Sequence, residues 1–175
     1  GNIYGNPDLK PETSLSKEIG VLYSDGAGLS AGLTIFDNAF NDKITRIACP
    51  ECGPLNASGN TPTTNVNIDE AITRGIEATF KAPLARNLDL NTSYTFTKSE
   101  QKSGEFAGQP LTQLPRHMLN VAVDWKPSAK WNGWAKLSYR GKESQPTGGR
   151  SARTWVAGSY AMFDVGGAYH YNKNT

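Results

Sequence analysis

Cys49 and Cys52 flank Pro50 and Glu51 and are the only cysteines in the chain. A C-x-x-C pair supports three chemistries: a redox-active dithiol, half of a zinc site, or a local disulfide. A structural zinc needs four ligands, and no second pair is present. The two histidines, His117 and His170, have no Cys, His or carboxylate neighbour at metal-ligand spacing, so no metal site and no cofactor are expected. No Ser-His-Asp set, nucleophile elbow or phosphate loop can be assembled from the sequence, and an enzyme is not expected.

The richer chemistry lies in 140–153. Arg140, Lys142, Arg150 and Arg153 face a single carboxylate, Glu143, and Trp155 follows closely. Guanidinium groups beside an aromatic ring suit a planar anion, through charge, hydrogen bonds and stacking. The competing reading is a solvated loop whose cations meet an acidic surface or nothing specific. Arg46 is a weaker ligand candidate, and Arg74 and Arg116 read as anchors of strand ends. The net charge of +2 over 175 residues is too balanced to suggest nucleic acid as a partner.

These residues need elements to hold them, and a period of two runs through the chain. Leu88, Leu90, Tyr94 and Phe96 alternate with Asp89, Asn91, Ser93, Thr95 and Thr97. A helix would mix those sets, whereas a strand sorts them onto two faces. The same alternation marks Ile19-Val21-Tyr23, Ile76-Ala78-Phe80, Leu119-Val121-Val123-Trp125, Ala135-Leu137-Tyr139 and Phe163-Val165-Tyr169-Tyr171. In 29–44, Ala31, Leu33 and Ile35 share a face, but Phe36 and Phe40 break the parity. Seven strands and no amphipathic helix are expected.

The connections alternate in length. Short ones fall at 25–28, 85–87 and 127–132; long ones fall at about 45–70, 99–115 and 142–158, rich in Gly, Pro, Ser, Thr and Asn. In an up-and-down sheet this puts every tight turn at one end and every long loop at the other, the layout of an outer-membrane β-barrel. Aromatic residues near the ends of the apolar face fit interfacial girdles. The 37% apolar share then reflects strands with one wet face. A soluble β-sandwich is the competing fold. No apolar run approaches the 18 residues of a transmembrane helix.

Gly5-Asn6-Pro7-Asp8-Leu9-Lys10-Pro11-Glu12-Thr13-Ser14, followed by Lys17-Glu18-Ile19-Gly20, resembles a signature of TonB-dependent outer-membrane receptors. Ile35-Phe36-Asp37-Asn38 with Asn41-Asp42-Lys43-Ile44, then Thr73-Arg74-Gly75-Ile76-Glu77, resemble the strands that follow in that family. Gly108-Gln109-Pro110-Leu111 with Leu114-Pro115-Arg116-His117 is similar to a loop-to-strand passage of its ferric catecholate siderophore receptors.

The resemblance implies an all-β, antiparallel up-and-down transmembrane β-barrel segment, about seven strands of a 22-stranded barrel in the bacterial outer membrane. Residues 1–175 would be a partial barrel, with the plug domain and terminal strands outside it. The absence of a basic start or apolar stretch at Gly1–Pro7, and the turn-like Asn172–Thr175, fit ends cut from a longer protein. The implied partners are a ferric siderophore, the TonB-ExbB-ExbD complex acting through the plug, and outer-membrane lipid and lipopolysaccharide. A passive pore or adhesion barrel without TonB coupling is the alternative. In an extracellular loop, Cys49 and Cys52 are expected as a local disulfide. Asn6, Pro7, Leu9, Pro11 and Glu12 are expected to be structural, because proline fixes the chain geometry before the strand begins.

Overall fold

The computed structural model describes residues 2–103, 107–145 and 155–171. Ten strands occur among them: β1 (Ile3–Tyr4), β2 (Thr13–Ser24), β3 (Ser30–Ala48), β4 (Thr63–Ala85), β5 (Leu88–Gln101), β6 (His117–Ser128), β7 (Trp131–Arg140), β8 (Glu143–Gln145), β9 (Trp155–Ala157) and β10 (Tyr160–Tyr169). Seven long strands run antiparallel in one sheet, in the order β10-β7-β6-β5-β4-β3-β2, and β1 joins it in parallel beside β4. Each long strand pairs with its sequence neighbours, the short β8–β9 hairpin lying between β7 and β10. No described helix is long and apolar enough to cross a membrane.

The register aligns the apolar sets into rows, because directly paired residues share a face. One row runs Val21, Leu33, Ala78, Tyr94, Leu119, Tyr139. Another runs Leu90, Val123, Ala135, Val165. The opposite face carries Glu18, Glu77, Asp89, Asp124, Lys136, Arg140 and Asp164.

This sheet has almost no interior. Among the described residues the buried apolar ones are Cys49, Ala71 and Ala82, with Pro62 and Pro115 enclosed in the outer connections. Ile19 is 74% exposed and Phe163 69%. A soluble domain rarely leaves a continuous apolar surface of this extent in water. On β6 the band from His117 to Trp125 runs roughly 26 Å along the strand at about 3.3 Å per residue. A tilted strand of that length suits the hydrocarbon layer.

Aromatic rings border the band at both ends. At the tight-turn end stand Tyr23, Phe80, Trp125 and the tilted pair Trp131–Tyr169, 4.7 Å between centroids. At the long-loop end, Tyr94 Oη lies 2.8 Å from His117 Nδ1, and Phe96 packs against the same imidazole. Amphipathic rings of this kind belong at the headgroup level.

Two features depart from the expected pattern. Phe36 and Phe40 do not interrupt β3; they point to the inward face. Phe36 occupies the room left by Gly75, where an added Cβ would meet its ring at 2.6 Å. Trp134 likewise covers Gly166. The 45–70 connection is also shorter than expected, because β3 and β4 stay paired up to Ala48↔Thr63. On the β3 side of that upper arm the apolar residues Ile44, Ile47 and Ala48 fall at both parities, so it lacks the alternation by which a half-buried strand is recognised.

Candidate functional site

The motif at 5–12 carries the chain across the β3–β4 arm and into β2. Asn6 Oδ1 accepts from Asp8 N at 2.9 Å, an Asx turn that bends the backbone after Pro7. Asn6 Nδ2 donates to Asn65 O at 3.0 Å. Asn67 holds Lys10 from both sides: its Oδ1 accepts from Lys10 N at 2.8 Å and its Nδ2 donates to Lys10 O at 2.9 Å. Asn67 Nδ2 also donates to the carbonyl oxygen of Asp42, the one residue of β3 with a positive φ, 54°. Glu12 accepts from Ile44 N. Leu9 and Pro11 lie in the short stretch between these bonds. The motif works as a clasp, with its partners more than thirty residues away in sequence.

Cys49 and Cys52 form a disulfide around a 3-10 turn, Pro50–Cys52, at the tip of the arm. Cys49 N donates to Pro62 O at 2.8 Å, closing the tip. Arg46 is exposed on the same arm, opposite Asn65. It lines none of the cavities described below.

The β5–β6 loop folds over the inward face. Leu111 N donates to Ser99 Oγ at 3.0 Å, and Gln101 N to Gln109 O at 2.8 Å. Beneath it lies a cavity of about 530 Å³ lined by Phe36, Phe40, Glu18, Glu77, Leu114 and Met118. On its other side is a cleft of about 430 Å³, reached by Arg116, Lys142, Glu143, Ser144, Val156 and Leu114.

The cationic candidates separate here. Lys142 lines the outer cleft. Arg140 is engaged with protein: Nε and Nη2 donate to Glu143 Oε2 at 2.9 and 2.6 Å, and Nη2 also to Gln113 O at 3.1 Å. Arg150 and Arg153 lie outside the described residues, and Trp155 begins β9. Arg116, which sequence reasoning set aside as an anchor, shares the cleft with Lys142. Its position at the end of a long loop, just before a strand, was the available signal.

On the outward face, Arg74 Nε pairs with Asp37 Oδ2 at 2.6 Å, and the register sets Lys17 and Lys98 on either side. At the outer end of β5, beyond the apolar band, the Lys102 ammonium donates to Glu100 at 2.8 Å and holds its carboxyl below the usual carboxylate range. Among the described residues no group of three or more His, Cys, Asp or Glu is placed to hold a metal.

A seven-stranded wall with one lipid-type face, tight turns at one end and folded loops at the other is a section of a membrane β-barrel. The sequence profile of the family described as TonB dependent receptor-like, beta-barrel, matches residues 1–175, and the chain belongs to that family of outer-membrane receptors. It is 55% identical over 173 residues to the iron-regulated outer membrane virulence protein of Vibrio cholerae, covering 97% of this chain and 26% of that protein. It is 32% identical to a ferric enterobactin receptor of Pseudomonas aeruginosa, over 97% of this chain and 24% of the relative. A crystal structure of a ferric enterobactin receptor variant from Pseudomonas aeruginosa superposes with a TM-score of 0.75 at 29% identity, over 98% of this chain and 25% of that one. The chain spans about a quarter of the length of the curated relatives it matches.

Proposed function

We propose that residues 1–175 form part of the wall and outer mouth of a receptor that captures ferric siderophores, catecholates above all, for TonB-dependent uptake. The observation that carries this reading is the cleft holding Arg116 and Lys142 at the outer ends of β5–β7, at the root of the cationic loop. Ferric catecholates are anionic and present flat aromatic rings. Cationic side chains at a concave polar mouth offer them charge and hydrogen bonds. The names of the relatives support the same ligand class.

In this reading the ferric siderophore is cargo, bound without chemical conversion. The wall strands sit in outer-membrane lipid and lipopolysaccharide. A plug domain elsewhere in the protein, moved by the TonB-ExbB-ExbD complex, then opens the way inward. Arg150, Arg153 and Trp155 belong to the ligand site in this proposal, and Asn6 to Glu12 to its scaffold.

The test is a panel of ferric siderophores on the intact receptor, by binding and by growth rescue in iron-limited cells. Tight binding of a ferric catecholate and TonB-dependent rescue are expected. Rescue that persists without TonB would indicate a passive pore. Replacing Arg150 and Arg153 together with Ala is expected to weaken binding by roughly tenfold or more, since each charge-assisted bond contributes about 1.5–3 kcal/mol. Unchanged affinity would remove both from the site.

A further inference from the structure

We propose that Arg140 is a positioning residue. With Glu143 it latches the β5–β6 loop, at Gln113, to the root of the cationic loop, and it does not itself touch the ligand. The proposal deepens the ligand reading above, on which its binding prediction rests.

Gln113 is the centre of the latch. Its φ of 61° lies in the left-handed region, which a residue with a side chain adopts rarely. Its backbone is held on both sides. Gln113 N donates to Ser144 O at 2.7 Å, and Gln113 O accepts from Arg140 Nη2 at 3.1 Å. Thr112 forms an isolated parallel bridge with Ser144. Arg140 is fixed in turn by Glu143, whose side chain is 12% exposed. A strained backbone persists only where its surroundings over-determine it, and here two strands and an ion pair do so.

The latched segment is also a partition. Leu114, next along the chain, lines both the outer cleft and the inward cavity. Pro115 is fully buried behind it. Fixing Gln113 therefore fixes the wall between the two spaces. An Arg whose Nε and Nη2 are both spent on a carboxylate is neutralised locally, a poor anion trap and a good strut.

The two roles predict opposite signs at Glu143. If Arg140 contacted an anionic ligand, Glu143→Gln would leave binding unchanged or tighten it, by removing a competing negative charge. If Arg140 is a strut, Glu143→Gln loosens the loop and weakens binding. The experiment uses the full-length receptor, with spin labels on Q109C in the loop and G158C before β10, where an added side chain meets nothing within 4 Å. Ferric enterobactin is the binding probe.

The expected result is a narrow distance distribution in the parent, broadened in both Arg140→Gln and Glu143→Gln. Both variants should bind the probe roughly tenfold more weakly, and the double variant no worse than Arg140→Gln alone. Unchanged distances in both variants overturn the latch. Broadened distances with unchanged binding overturn the positioning role. Weakened binding in Arg140→Gln alone, with Glu143→Gln equal to the parent or tighter, makes Arg140 a ligand contact. If the parent fails to bind the probe, the ligand reading fails, while the distances still decide the latch.

Discussion

The band of β2–β7 and β10 and the mouth above it are held by different forces. In the band, side chains sort by face, and the outward apolar rows have no protein to cover them. In the mouth, single polar side chains reach across long sequence distances: Asn67 to Lys10, Glu12 to Ile44, Arg140 to Gln113. The band therefore depends on the medium around it, and the mouth on individual hydrogen bonds. Substitutions should have global effects in the first and local effects in the second.

The strongest challenge to this contrast is a charge on the apolar face. Leu137→Arg in the full receptor is expected to destabilise the folded barrel by roughly 2–4 kcal/mol, whereas Ser138→Arg, its inward neighbour, should cost far less. Denaturant titration from lipid vesicles measures both, and equal costs would contradict the assignment of faces. Gly75→Ala comes next. Its methyl would overlap the Phe96 carbonyl oxygen and press on the Phe36 ring, for a loss of about 1–3 kcal/mol. Gly158→Ala is the control.

Asn67→Ala should act differently. Removing its bonds to Lys10 is expected to cost roughly 1–2 kcal/mol locally. It should appear as faster amide exchange at Lys10 and nearby positions with an unchanged global midpoint. A shifted midpoint would make the clasp part of the wall's own stability. The smallest effect is expected from Cys49→Ser with Cys52→Ser. So short a ring constrains little of the unfolded chain, so heat stability should change by under about 1 kcal/mol.

The same contrast governs what the sequence makes legible. The wall could be read because half of each strand is apolar and its period is two. The arm, Lys43–Ala48 against Thr63–Ile68, could not, because on its β3 side Ile44, Ile47 and Ala48 fall at both parities and polar residues lie between them. Phe36 looked like a break in parity because its partner is an absence, the missing side chain of Gly75 on the next strand. The Asn6–Glu12 motif was visible as a motif, but Asn65 and Asn67 were not visible as its partners. Arg140 was legible as a cation. Its ion pair with Glu143 sits at a spacing of three, yet nothing in the sequence shows that Gln113 is twisted to meet it.

The strand order has a consequence in time. Because the seven long strands pair in chain order, with only the short β1 joining β4 across a longer stretch (Ile3↔Thr63), the sheet is built mostly from consecutive hairpins, which favours quick formation for a β-structure. Each hairpin offers the next strand a ready template at its open edge. The wall is thus suited to grow one strand after another along the chain.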